Sequence, residues 1–438
     1  MSAAGEVRAP VSPPLALERL PAVDTLALAA VAGLPFTYAL TLDVGFPLKL
    51  YELAMALAAL AAFADLRVRG APGSRRLVAP LALSLLAAAA VLAYRLRRPL
   101  DTLDLFATPL RFGAAGDGAT KLVYFGFAIF AFLAFSHAAV RHERLYTRLW
   151  VAAAIVSAAY TWVLFVSSLI EVPPPLLPGI EKPQVIALGD NEFIRSGTFE
   201  EGNFLGLYLV CSTAVAWYAR RPAAALFLSA TVFITFSTAN VIGLALFWLG
   251  TGWSFAFSRQ GGVRRGVAIA AIAGSATLIA ALLVMTGYAM EFVVEKLTTD
   301  EFSSKFDRLD TAIAGMRMFV DHPLVGVGIG QYNYHYQSYY VVDVFARLRD
   351  YQSIANNVYV ELLAETGLLG FGCALLFQRR LLRAARGAQL APLRWGAAAI
   401  LLVFNAFPSY VLLFLWAFWA LLYAAAVNEA ARSAGVPA

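Results

Sequence analysis

The chain is poor in charge, in cysteine and in histidine. Asp, Glu, Lys and Arg supply 14% of its 438 residues, against roughly 25% in soluble proteins. So few charges cannot give several soluble domains a hydrated surface, although length alone would suggest several. Cysteines occur only at 211 and 373, both inside apolar runs, which excludes a disulfide framework and a cysteine metal cluster. No HExxH or paired-carboxylate metal motif appears, so no metal and no cofactor are expected. No short apolar region with a cleavage site opens the chain, so the first span is expected to act as a signal anchor. Internal repeats are absent too. The net charge of +6 comes mainly from arginines in short clusters between apolar runs. That pattern points to membrane topology rather than nucleic-acid binding.

Hydrophobic residues are abundant, at 60% of the chain, where soluble domains carry roughly 45–50%. A bilayer-crossing helix needs about 20 apolar residues. On that template the chain is an all-α polytopic membrane protein with about twelve transmembrane helices, at 24–41, 46–64, 77–95, 120–140, 149–170, 203–219, 222–237, 239–257, 266–289, 357–378, 395–408 and 410–428. A cytoplasmic tail covers 1–21, and residues 22–289 hold nine spans with outward loops near 96–119 and 171–202. A large outward loop covers 290–356, and residues 357–438 hold the last three spans and a cytoplasmic C-terminus. Arginines 67, 69, 75 and 76, then 141, 144 and 148, 220 and 221, 259, 264 and 265, and 379 to 394 fall in every second loop. Those loops are therefore cytoplasmic and the long ones face outward. Arg95, Arg97, Arg98 and Arg111 break the pattern on the outer side. In the large loop Phe302, Phe306, Leu309, Ile313, Met316 and Val320 recur at steps of three and four, ending before Pro323. They predict an amphipathic helix lying flat at the membrane surface.

The outward side also holds the candidate chemistry. Arg195, Arg308, Arg317, Arg347 and Arg349 carry guanidinium forks suited to diphosphate oxygens. Glu200, Glu201, Asp321, Asp343, Asp350, Glu361 and Glu365 are acids, most of them expected as partners of the arginines. A buried carboxylate with a raised pKa among them can serve as a base toward a hydroxyl. His335, among the tyrosines of YNYHYQSYY, is a candidate for sugar stacking or for the base. Asn357, Glu361 and Glu365 follow one another at four-residue steps, hence on one helical face.

Three segments, RSGTFEEGNFLGLYL (195–209), RLDTAIAGMRMFVDHPLVGVGIGQY (308–332) and NNVYVELLAETGLLG (356–370), resemble the O-antigen ligase and O-antigen polymerase (WaaL/Wzy) superfamily. The resemblance covers the second half of the chain by motif and the first half by layout. It implies a GT-C-like, inverting, metal-independent glycosyltransferase of the bacterial inner membrane, with its active site facing the periplasm. The donor would be an undecaprenyl-diphosphate-linked oligosaccharide, and the acceptor a lipid-linked repeat unit or the lipid A core. A chain-length regulator is a candidate protein partner. By motif position Arg195 and Arg308 would hold the diphosphate. The family usually has His-Asn before its YxELLAETGLLG run, and that His is its candidate base. Here Asn356 and Asn357 stand at that point, and an amide takes no proton at neutral pH. Asn356 is thus a catalytic-position candidate by place alone, with His335, Glu200, Glu201 and Asp350 as alternative bases. Asn357 and Glu361 are expected to support the acceptor site. The departure favours a polymerase over a ligase. A transporter or flippase for the same lipid-linked substrate is the alternative from another class.

Overall fold

The computed structural model describes residues 21–43, 47–49, 52–58, 72–96, 113–188, 191–256, 301–340 and 354–435. The expected span 266–289, the end of the span 46–64 from residue 59 on, and the candidates Asp343, Arg347, Arg349 and Asp350 lie outside the described residues. The helices are α1 (Ala22–Gly33), α2 (Ser74–Leu96), α3 (Gly113–Leu169), α4 (Gly202–Tyr218), α5 (Pro222–Phe233) and α6 (Thr238–Ala256), then α7 (Glu301–Asp321), α8 (Tyr332–Tyr339), α9 (Val358–Ala384), α10 (Ala391–Val403) and α11 (Leu413–Ser433). The described residues also hold a helical stretch at 52–58, 3₁₀ turns at Ala388–Leu390 and Phe404–Ala406, and two antiparallel two-stranded hairpins, β1–β2 (Leu42–Asp43, Pro47–Leu48) and β3–β4 (Val185–Leu188, Asn191–Ile194). The all-α expectation holds. Each expected span within the described residues overlaps a helix, but α1 stops at Gly33, short of the expected 41, and α10 at Val403, short of 408. Among the described residues four helices are long and apolar enough to cross a membrane: Ser74–Tyr94, Ala115–Leu169, Val358–Ala384 and Leu413–Ser433. Ala22–Gly33 and Pro222–Phe233 are apolar but shorter.

Helix α3 reverses direction in its middle. His142 leaves helical geometry (φ −128°, ψ 39°), and the rings of Phe135 and Tyr146 meet at 6.2 Å. A straight helix would hold residues eleven apart at about 16 Å. The basic run around Arg141, Arg144 and Arg148 is therefore a turn between two limbs, as expected of a short loop. Helix α11 is the hub of the bundle, with every side chain from Leu413 to Ala426 buried. A helix apolar on all sides is a core helix. Its aromatics meet both limbs of α3, with Trp416 against Phe125, Tyr423 against Phe132 and Phe418 against Trp150. Buried polar groups are tied inside the bundle, as the Trp150 indole to Ser212 Oγ at 2.9 Å and the Tyr146 hydroxyl to the Ala417 carbonyl at 2.9 Å.

The basic turns gather at one end of this bundle. There Arg380 donates to the Arg76 carbonyl at 3.1 Å, and Arg432 lies 4.0 Å from Glu143, whose carboxylate also accepts from Asn428. Asp24, fully buried in the first turn of α1, meets His142 and Arg141 at the same end, at 3.2 and 3.4 Å. The opposite end carries the start of α4, helices α7 and α8, and the start of α9. On α7, Leu309, Ile313, Met316 and Val320 are exposed, while Asp310, Thr311, Ala314 and Met318 are buried. Asp310 and Thr311 turn inward with Ala314 and Met318, and the apolar stripe faces outward, which suits a helix lying against lipid.

Helix α9 breaks at Gly367 (φ 59°, ψ −161°), a backbone region open essentially to glycine alone. The segment 323–328 fills the break. Val327 and Gly328 donate to the carbonyls of Ala364 and Glu365 at 2.8 and 3.1 Å, and Leu368 and Leu369 donate to Pro323 and Leu324 at 2.8 and 3.1 Å. Within a membrane such irregular backbone survives only where protein satisfies it. Positive φ at Gly326 and Gly328 lets this loop approach closely, and a Cβ on Gly326 would strike the Glu365 backbone. The loop thereby fixes Glu361 and Glu365, which stand on the N-terminal limb of α9.

Candidate functional site

Two groups of charged side chains stand at this end. The first forms where the β3–β4 hairpin runs into α4. Gln184 clamps the junction: its carbonyl accepts from Arg195 N at 3.0 Å and its side chain from Gly202 N at 2.8 Å. Arg195 then reaches Asn203 Oδ1 through Nη2 at 3.1 Å, which aims the guanidinium across the first turn of α4. Glu201 stands at the N-cap of α4, next to Glu200. Burial and the charge of Glu200 raise the Glu201 carboxyl above the usual carboxylate range, while both Arg195 and Arg308 pull it down. Arginines more than a hundred positions apart in the chain therefore act on one carboxylate. Arg308, on α7, is exposed. Two guanidinium groups beside a helix N-terminus make a favourable place for an anion.

The second group lies deeper. Lys121, at the start of α3, ion-pairs with Glu361 and with Glu365, the latter at 2.7 Å. Lys121, Glu361 and Glu365, with Asp117, Gly330, Tyr332, Asn333, Ile354 and Ala355, line a cavity of about 210 Å³. Asp117 accepts from the Tyr334 hydroxyl at 2.7 Å. Burial, then that carboxylate, push the Tyr334 phenol well above its ordinary range. The Tyr410 ring packs 5.9 Å from the Lys121 ammonium.

The remaining sequence candidates separate. Asn357 is the N-cap of α9, accepting from Tyr359 N and Val360 N at 3.0 and 3.2 Å and donating to the Asn405 carbonyl at 3.0 Å. Its bonds are those of a structural tie, in the way expected of capping amides. Asn356 adopts a left-handed conformation (φ 48°) that asparagine tolerates, one residue beyond the cavity-lining Ala355. Glu200 is exposed beside Glu201, and His335 is half-buried on α8 outside the cavity lining. Arg317 lies nine positions from Arg308, hence on the opposite face of α7 at about 100° per residue. It donates to the carbonyls of Tyr339 and Tyr340 at 3.4 Å and borders a shallow groove of about 550 Å³ with Ile313, Met316 and Tyr339. It does not join Arg195 and Arg308.

Sequence reasoning passed over Lys121 and Asp117. The signal was present: one lysine opens an otherwise apolar span, and two glutamates open another. Charges that enter a membrane are expected to find each other. Among the described residues no cluster of His, Cys, Asp and Glu has the arrangement of a metal site.

Comparison with known proteins agrees with the resemblance read from the motifs. Residues 223–375 match the family model described as O-antigen ligase. That stretch runs from α5 into α9 and contains Arg308, Asn356, Glu361 and Glu365, while Arg195 and Lys121 precede it. No curated protein matches the chain significantly.

Proposed function

We propose that this membrane protein, with its O-antigen ligase segment, is a glycosyltransferase of bacterial surface-polysaccharide synthesis that uses a polyprenyl-diphosphate-linked glycan. The observation that carries the reading is that Arg195, tied to Asn203 at the first turn of α4, and Arg308 both act electrostatically on Glu201 at the N-cap of that helix. The two guanidinium groups hold the diphosphate and stabilise the negative charge that grows on it as the glycosidic bond breaks. Glu201 limits the positive charge while the site is empty. The exposed apolar face of α7 rests in the outer leaflet and brings Arg308 to headgroup depth, where a carrier lipid presents its diphosphate. The basic turns at the opposite end support a reading in which that end lies in the cytoplasm and the two arginines lie on the periplasmic side of the inner membrane. Attack by a hydroxyl from the face opposite the leaving diphosphate inverts the anomeric centre.

Polymerisation onto a lipid-linked repeat unit is favoured over transfer to the lipid A core, because Asn356 occupies the place of the ligase-type histidine. Both reactions share the donor site. The test is complementation of a strain lacking this chain. Wild type restores surface glycan, and R308A restores none while reaching the membrane in normal amount. Polymer of wild-type length and yield from R308A would end this assignment.

A further inference from the structure

The cavity beside Lys121 has no part in holding the donor as described above. Its size suits several waters or a single sugar-sized group. One ammonium, Lys121, faces the two carboxylates of Glu361 and Glu365, so the three together carry one negative charge in excess. The two carboxylates are not equivalent. Glu365 is the deeper, 2% exposed against 8% for Glu361. Its Oε2 lies against Lys121, and its Oε1 accepts from Tyr332 N at 3.4 Å. Glu361 spends Oε1 on Lys121, and its Oε2 is buried with no hydrogen-bond partner among the described residues. A buried acceptor left unsatisfied costs about 1–3 kcal/mol, more if charged. A ligand hydroxyl is the group that would satisfy it.

We propose that this cavity receives the acceptor sugar and that Glu361 Oε2 takes the proton of its attacking hydroxyl, with Lys121 and Glu365 as positioning residues. The inference rests on the glycosyltransferase reading and adds the acceptor side to it. The acceptor oxygen forms its bond to the anomeric carbon. The bond from that carbon to the diphosphate oxygen breaks, and its electron pair leaves with the diphosphate. The hydroxyl proton passes to Glu361, cancels the excess charge of the triad, and is later released to water.

The test uses the purified full-length protein, with lipid-linked glycan extracted from a strain lacking this chain as substrate. Farnesyl diphosphate serves as the separate binding probe. E361Q keeps the shape of the site and leaves a neutral Lys121–Glu365 pair, so it is expected to fold. It should lower turnover about 100-fold or more, the scale of a lost general base, while farnesyl diphosphate binds within twofold of wild type. E361D should recover part of the rate and move the acid limb of the pH–rate profile. E365Q should cost less than tenfold. Turnover by E361Q within threefold of wild type overturns the proposal. So does an equal loss in E361Q and E365Q with matching losses of thermal stability, because the pair would then be structural. Wild-type protein that fails to bind farnesyl diphosphate, yet loses turnover in E361Q, strikes the donor reading and leaves this one standing.

Discussion

Arg195 and Arg308 act through charge on a carboxylate at the N-terminus of a helix, whereas Lys121 ion-pairs with two carboxylates inside the bundle. The first group balances two arginines against Glu200 and Glu201, and Arg308 stands exposed. The second has negative charge in excess, with both carboxylates almost wholly buried. Glycosyl transfer from a diphosphate carrier needs both kinds of place. An anion must be held where charge grows on the leaving group, and a proton must be taken from the incoming hydroxyl. The difference also separates function from stability. An exposed arginine can be removed at little cost to the fold, while a buried lysine between two glutamates cannot.

The largest expected effect tests that contrast directly. K121M leaves Glu361 and Glu365 without a counter-charge and should destabilise the protein by about 3–5 kcal/mol. Fluorescence-detected thermal melts in detergent read this, and the triple variant K121M/E361Q/E365Q should regain most of the loss. A K121M melt equal to wild type would show that the three groups are not held as described. R308A comes next, with turnover reduced by about 100-fold and melting unchanged. An equal loss of stability would merge the two regions into one structural class.

G367A forces a side chain into a glycine-only conformation against the Leu324 and Val325 backbone. Strain alone costs about 1–3 kcal/mol, and the melt should show at least that. Acidity offers a finer test. Since burial and Glu200 raise Glu201 above its ordinary range, it takes up a proton at higher pH than a free carboxylate does. Its negative charge next to the arginines is then lost, so anion binding should tighten on acidification and weaken as pH rises. E201Q should bind at every pH as wild type does at the acid end, and a pH dependence unchanged in E201Q would remove Glu201 from the site. R317A should be the mildest change. It loses two long hydrogen bonds to the end of α8, worth about 1 kcal/mol, and turnover should stay within threefold. A loss as large as that of R308A would return Arg317 to the donor site.

Much of this architecture was legible in the residues. Apolar runs marked the helices, and the arginine clusters marked one end of the bundle. The three- and four-residue recurrence from Phe302 to Val320 marked α7. Periodicity also gave the common face of Asn357, Glu361 and Glu365, although it could not say that the first caps a helix while the other two pair with a lysine. The pairing of Arg195 with Arg308 was named through motif position, since no local pattern links residues so far apart. Lys121 was missed because a single cation at the head of a span resembles an ordinary interfacial lysine. Its partners lie more than two hundred positions away, and only packing of α3 against α9 brings them together. The break at Gly367 was likewise hidden. ETGLLG continues a helical pattern, and the loop that fills the gap is forty residues earlier in the chain.

Farnesyl diphosphate binding to wild type, R195A, R308A and the double variant, with farnesol as the uncharged control, addresses the arginine pair most directly. Charged hydrogen bonds contribute about 1.5–3 kcal/mol, so each single substitution should weaken the diphosphate by at least about tenfold and leave farnesol unaffected. Equal affinity of wild type and R195A/R308A for farnesyl diphosphate would contradict the account.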